Sequence, residues 1–169
     1  LMLRSEFDTS GIVEIPRLGV SIPFVVAPDQ NTRIDLASYR SQLVTDHGHD
    51  SEGGNNGVRV TSDQPVTVYA FNHTNASLDA TAVLPTSNLG DDYILVSHGD
   101  GDTLYGSGQF GVVAVEENTQ VTYTFPEDTK IFGHDLQFSA GESYTLNLDK
   151  GQTHGFTVLD LHGGSGLEI

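Results

Sequence analysis

A chain of 169 residues sits near the commonest size of a single domain and is long enough to bury roughly 70% of its unfolded surface. Seven Lys and Arg against 23 Asp and Glu give a formal net charge of -16, which repels phosphate backbones and anionic headgroups and argues against nucleic acid or membrane insertion. With no cysteine, disulfides, thiolate metal sites and cysteine nucleophiles are excluded, and no apolar run approaches the roughly 18 residues of a membrane span.

The opening LMLRSEFDTSG carries one basic residue and no apolar core, so it does not read as a signal peptide. A first residue other than Met and an end on GSGLEI suggest a piece of something longer, with residues 1–169 forming one domain. From there apolar and polar residues alternate with period two in segment after segment, and helix signals are nearly absent. Strands are predicted near 12–15, 20–26, 32–37, 57–61, 66–72, 79–84, 92–97, 110–115, 136–139 and 153–160. Two more are clearer: Val121, Tyr123 and Phe125 share one face of TQVTYTFP, and Tyr144, Leu146 and Leu148 share one face of SYTLNL. Gly, Pro, Asn and Asp bound most of these segments. The fold class is therefore all-β, an antiparallel β-sandwich of about a dozen short strands, because a parallel sheet would need crossover helices.

Two features interrupt that pattern. The stretch 38–56, SYRSQLVTDHGHDSEGGNN, is long for an irregular connection inside a domain, and such loops are often functional. A weak echo aligns FVVAPDQNTRIDL, Phe24 to Leu36, with LQFSAGESYTLNL, Leu136 to Leu148, without a gap, as a duplicated hairpin or chance alternation would.

The middle of the chain, NNGVRVTSDQPVTVYAFNHTNASLDATAVLPTSNLGDDYILVSH from Asn55 to His98, resembles the IgGFc-binding protein N-terminal domain family. SIPFVVAPDQNTRIDL before it, and FGVVAVEENTQVTYTF, GESYTLNLDKGQTH and LDLHGGSG after it, follow the family order. VTSDQPVTVYAFN, AVLPTSNLGDDYILVS and VAVEENTQVT are the most specific elements. The resemblance implies an extracellular binding module, of the kind found in a mucus protein that binds antibody Fc and in large bacterial surface proteins, and implies no catalysis. A shared fold does not hand down a ligand. The motif residues have structural roles of their own: Pro65 presets a turn, Val66, Val68 and Ala70 alternate toward a core, Pro85 ends the strand of Ala82, Val83 and Leu84, and Gly90 frees the turn TSNLGDD.

Two clusters carry metal-ligand chemistry. TDHGHD sets Asp46, His47, His49 and Asp50 together, and His-x-His is a zinc-ligand spacing that resembles the start of the metallo-β-lactamase motif. Its register fails, since Asp50 follows His49 directly and no later ligands or αββα pattern appear. HGDGDTLYGSG resembles one unit of the calcium-binding repeats of repeats-in-toxin proteins, with Asp100 and Asp102 as ligands for Ca²⁺. A single unit without stacked neighbours reads first as a Gly-rich hairpin tip connecting the strands at 92–97 and 110–115. His73, His98, His134, His154 and His162 are scattered and read as strand-end polar residues, and no nucleophile elbow is present. NHT at Asn72 and NAS at Asn75 are glycosylation sequons, relevant in a eukaryotic source, whereas the composition favours a bacterium.

The expectation is a non-enzymatic adhesion module at the cell surface or secreted, adjoining further domains of its own chain. It recognises a protein, peptide or glycan through loops 38–56, 72–79 and 98–109, with Tyr39, Asn72, Asn75 and Tyr105 as contacts and Ca²⁺ as the one candidate cofactor. A ligand-free structural spacer and a metal-dependent hydrolase are the alternatives.

Overall fold

The computed structural model describes residues 1–43, 54–73, 78–96, 108–131, 135–160 and 166–168. They are mostly β, with antiparallel ladders throughout, and gather into two compact units: Leu1–Leu43 with Gly57–Leu89, and 54–56 with 90–168.

The first unit holds β1 (Met2–Arg4), β2 (Thr9–Ile15), β3 (Val20–Val26), β4 (Asn31–Arg33), β5 (Arg59–Ser62), β6 (Thr67–His73) and β7 (Leu78–Val83). One sheet runs β4-β1-β6-β7 and the other β3-β2-β5. Alternation decides which side chains meet: Leu3 and Val68 from one sheet and Val13, Phe24 and Val26 from the other are buried in one cluster, the core of a sandwich. Gly11 is required where it stands, because the ring of Phe24, its partner on β3, and the carbonyl of Thr61 occupy the space a Cβ would take. Gly19, at φ +62, closes the turn between β2 and β3 in the left-handed region.

The second unit holds β8 (Ile94–Val96), β9 (Gly108–Val113), β10 (Thr119–Thr124), β11 (Thr129–Ile131), β12 (Gln137–Phe138), β13 (Ser143–Leu148), β14 (Thr153–Asp160) and β15 (Gly166–Glu168), in sheets β13-β10-β15-β8 and β12-β11-β14-β9. Its core is aromatic. Tyr123, Phe125, Phe138 and Phe156 are buried together, with Phe125 stacked on Phe138 at 4.2 Å between centroids and Phe156 edge-on to Tyr123 at 5.0 Å.

The two units repeat one connectivity. β1 pairs with β4 and β6 as β10 pairs with β13 and β15; β2 pairs with β3 and β5 as β11 pairs with β12 and β14. Register agrees as well, since buried Thr9 lies opposite Val26 and buried Thr129 opposite Phe138. The echo seen in sequence is part of this repeat. It is not a hairpin: in each copy the chain leaves the edge strand of one sheet, β3 or β12, and enters the edge strand of the other, β4 or β13. Asp29 and Gly141, at aligned positions in these two corners, both have positive φ, 58° and 82°.

Most predicted strands appear, and 20–26 and 153–160 match in full. The segment 32–37 does not remain extended. β4 stops at Arg33, the Asp35 carboxylate accepts the N–H of Ala37 at 2.9 Å, and a turn of 3₁₀ helix, Ala37–Tyr39, leads into one α-turn, α1 (Arg40–Leu43). β1, β11 and β15, three residues each, are too short for alternation to reveal.

Candidate binding surface

Of the residues predicted to make contacts, Tyr39 is half-buried in the 3₁₀ turn, its N–H donating to the Leu36 carbonyl at 2.9 Å. Asp35 fixes that turn, and its carboxyl is held below the usual carboxylate range, first by the Ala37 N–H, with desolvation opposing and Arg33 at 2.9 Å adding to the lowering. Asn72 is exposed on β6, opposite Asp79 of β7. Asn75, Tyr105, Asp46, His47, His49, Asp50, Asp100 and Asp102 lie outside the described residues. Among the described residues, no three His, Asp or Glu side chains gather as a metal site requires.

The surface that sequence reasoning missed is the outer face of the β4-β1-β6-β7 sheet. Val68 points into the core, so its neighbours Tyr69 and Phe71 point out, and they are 42% and 48% exposed. The ladder sets Tyr69 opposite Ala82, Phe71 opposite Ala80 and His73 opposite Leu78, which is 63% exposed. Two aromatic rings thus stand beside a shelf of alanines. The cations nearby are neutralised, Arg4 by Asp29 at 3.0 Å and Arg33 by Asp35. On a chain of -16, the outward positions of β6 and β7 carry no carboxylate, since Asp79 lies on the opposite face of its strand. An exposed apolar area rimmed by polar groups marks an interaction surface more often than a reaction site. The signal was present in VYAF, which is apolar at both parities and so cannot hide both of its faces in one core.

One histidine departs from the strand-end reading. His154 is 1% exposed, inside the second core, where its Nδ1 lies 3.0 Å from the Tyr123 hydroxyl and its ring stacks on Tyr144 at 5.9 Å. Burial pushes the Tyr123 phenol above the ordinary tyrosine range, and Tyr144 adds to the effect. Sealed from solvent, this pair ties the two sheets of its unit together and has no access to a substrate.

A family model described as IgGFc binding protein matches residues 79–167, just over half of the chain. The chain belongs to the IgGFc-binding protein family. The match begins on β7 and ends on β15, so the matched segment takes in every strand of the second unit and the exposed edge strand of the first. No curated protein and no solved structure matches the chain. The bacterial origin expected from composition rests on the sequence alone.

Proposed function

We propose that this chain is a non-enzymatic extracellular module that binds protein through the outer face of β6 and β7 and the loops beside it. Membership of the IgGFc-binding family carries the reading. The exposed Tyr69, Phe71 and Leu78 support it, because aromatic residues at an open face are the usual anchors of protein recognition. No helix among the described residues is long and apolar enough to cross a membrane. The test is binding of the chain to a panel of extracellular proteins, beginning with an antibody Fc fragment, alongside the Tyr69→Ser/Phe71→Ser variant. We expect at least one protein to bind and the double variant to bind about tenfold or more weakly, an anchor loss of the usual size. A chain that binds nothing supports the spacer. Turnover of ester, phosphoester or β-lactam substrates that is lost in both His47→Ala and His49→Ala overturns the module in favour of a hydrolase.

Calcium belongs to the same proposal, at Asp100 and Asp102. If Ca²⁺ binds only the folded chain, stability rises by about 2.7 kcal/mol at a hundredfold excess over Kd. Thermal unfolding in EDTA, Mg²⁺ and Ca²⁺ reads this directly. Equal melting temperatures in EDTA and Ca²⁺ reject the site, and a shift retained by Asp100→Asn/Asp102→Asn moves it to Asp46 and Asp50.

A further inference from the structure

Charge is divided unevenly along the chain. Residues 1–43 and 57–89 hold five cations, all arginine, against seven carboxylates, whereas the remainder holds two lysines against sixteen. The first unit is thus close to neutral, and nearly all of the -16 belongs to the rest. Two of the five arginines, Arg4 and Arg33, stand on the sheet that carries the exposed rings.

The ladders place them. Leu3 points into the core, so Met2 and Arg4 point out from β1, and Arg33 and Asn31, their partners on β4, share that face. One row across the sheet reads Arg33, Met2, Tyr69, Ala82, and the next reads Asn31, Arg4, Thr67. Arg4 is therefore a diagonal neighbour of Tyr69, about 7–8 Å away between α-carbons, and Arg33 lies two strands away, about 10 Å. The outward positions of β4, β1, β6 and β7 carry these two arginines and no carboxylate. The aspartates that meet the arginines flank β4, Asp29 before it and Asp35 after it, and in both pairs each side chain is more than half exposed. Ion pairs so exposed are held weakly, so either arginine exchanges its carboxylate for another at little cost.

We propose that the partner of this face is a protein segment that carries an acidic side chain close to an apolar one. The apolar side chain packs on Tyr69, Phe71 and the alanines, and the carboxylate, two or three residues along, takes Arg4 or Arg33 from its aspartate. Two residues of extended chain span about 7 Å, which is the offset of Arg4 from Tyr69. A basic partner is disfavoured here, because its cations would meet two arginines on this face and find their complement on the acidic remainder of the chain. The inference rests on the protein-binding reading and names the chemistry of the partner at that same face.

The probes are the peptide SWSESES and two versions of it, with Gln or with Lys in place of both Glu. Each is followed through its tryptophan, since the chain has none. Fluorescence anisotropy at about 50 mM salt is expected to rank them Glu, Gln, Lys, with about tenfold between first and last, and the gap should close at about 500 mM. Arg4→Gln/Arg33→Gln is expected to bring the Glu peptide within about twofold of the Gln peptide. Asp29→Asn, which frees Arg4 from its own carboxylate, should tighten the Glu peptide, and Tyr69→Ser/Phe71→Ser should weaken all three by about tenfold. A Lys peptide that binds as well as the Glu peptide overturns the proposal. So does a preference for Glu that survives Arg4→Gln/Arg33→Gln, and so does no binding of the Glu peptide up to about 1 mM. The module reading fails separately, when no whole protein binds the chain or when such binding survives Tyr69→Ser/Phe71→Ser.

Discussion

β10 and β6 each carry a tyrosine in an alternating strand, and the protein uses them in opposite ways. In TQVTYT, Val121 and Tyr123 share a parity, so the ring follows the valine into the core and Thr122 and Thr124 remain outside. In TVYAFNH, Tyr69 and Phe71 have the parity opposite to Val68, so the smaller side chain is buried and the rings are left in solvent. Thr122 pairs with Thr145 at 2.9 Å and Thr124 with Ser143 at 3.2 Å across the outer face of β10, which is ordinary polar covering for a sheet. Among the described residues, the outer face of β6 has no such covering. Fully burying an aromatic ring contributes about 1.5–3 kcal/mol, so two rings left nearly half exposed forgo part of that stabilisation.

The sharpest way to break that comparison is to remove a ring from each side. Phe156→Ala empties part of the second core and is expected to cost about 3–5 kcal/mol, whereas Tyr69→Ser is expected to stay within about 0.5 kcal/mol of the parent. Urea unfolding followed by circular dichroism measures both. A similar cost for the two means that the outer face of β6 is covered in solution, and the binding surface assigned to it is lost.

A second test works on the repeat. Gly11 and Ile131 are equivalent positions, each two residues beyond a buried threonine, yet one core takes an isoleucine there and the other lays the ring of Phe24 over a glycine. Gly11→Ala drives a methyl into that ring and into the Thr61 carbonyl, and overpacking of this kind costs about 1–3 kcal/mol. Removing the ring as well, in Gly11→Ala/Phe24→Ala, relieves only the ring contact. The double variant is therefore expected to be less destabilised than the sum of the singles, and strict additivity would show that ring and glycine are not coupled.

These tests bear on what the sequence reveals. Period-two alternation was enough for the all-β class and for strands such as 20–26 and 153–160, because a half-buried strand writes its two faces into its residues. Three-residue strands write almost nothing, so β1, β11 and β15 were silent. The repeat surfaced only where the corners around Asp29 and Gly141 share a backbone constraint, since the two cores are filled with different side chains, Leu3 where the other copy has Tyr123. The exposed face of β6 is legible in VYAF only through its double parity, because apolar residues in a strand are ordinarily assigned to a core. Apart from Tyr39 and Asn72, the predicted contact and metal residues fall outside the described residues.

The smallest effect concerns the buried member of the pair of tyrosines. Tyr123→Phe removes the hydroxyl that meets His154 Nδ1 and is expected to cost about 1–2 kcal/mol, the usual penalty when a buried polar atom loses a partner. Alkali gives the same residue a second signature. Its folded pKa is raised, above all by burial, over the value of about 10 that a tyrosine has in an unfolded chain. A group of that sign contributes stability that is complete below about pH 10 and is lost as pH climbs toward the folded value. The chain has no tryptophan and six tyrosines, so ultraviolet absorbance of tyrosinate can be followed cleanly. One tyrosine is expected to ionise only together with the loss of the β-sheet signal, and that coupled step should vanish in Tyr123→Phe. If every tyrosine of the parent ionises while the sheet signal is intact, the Tyr123 hydroxyl is open to solvent and the sealed core built around it is wrong.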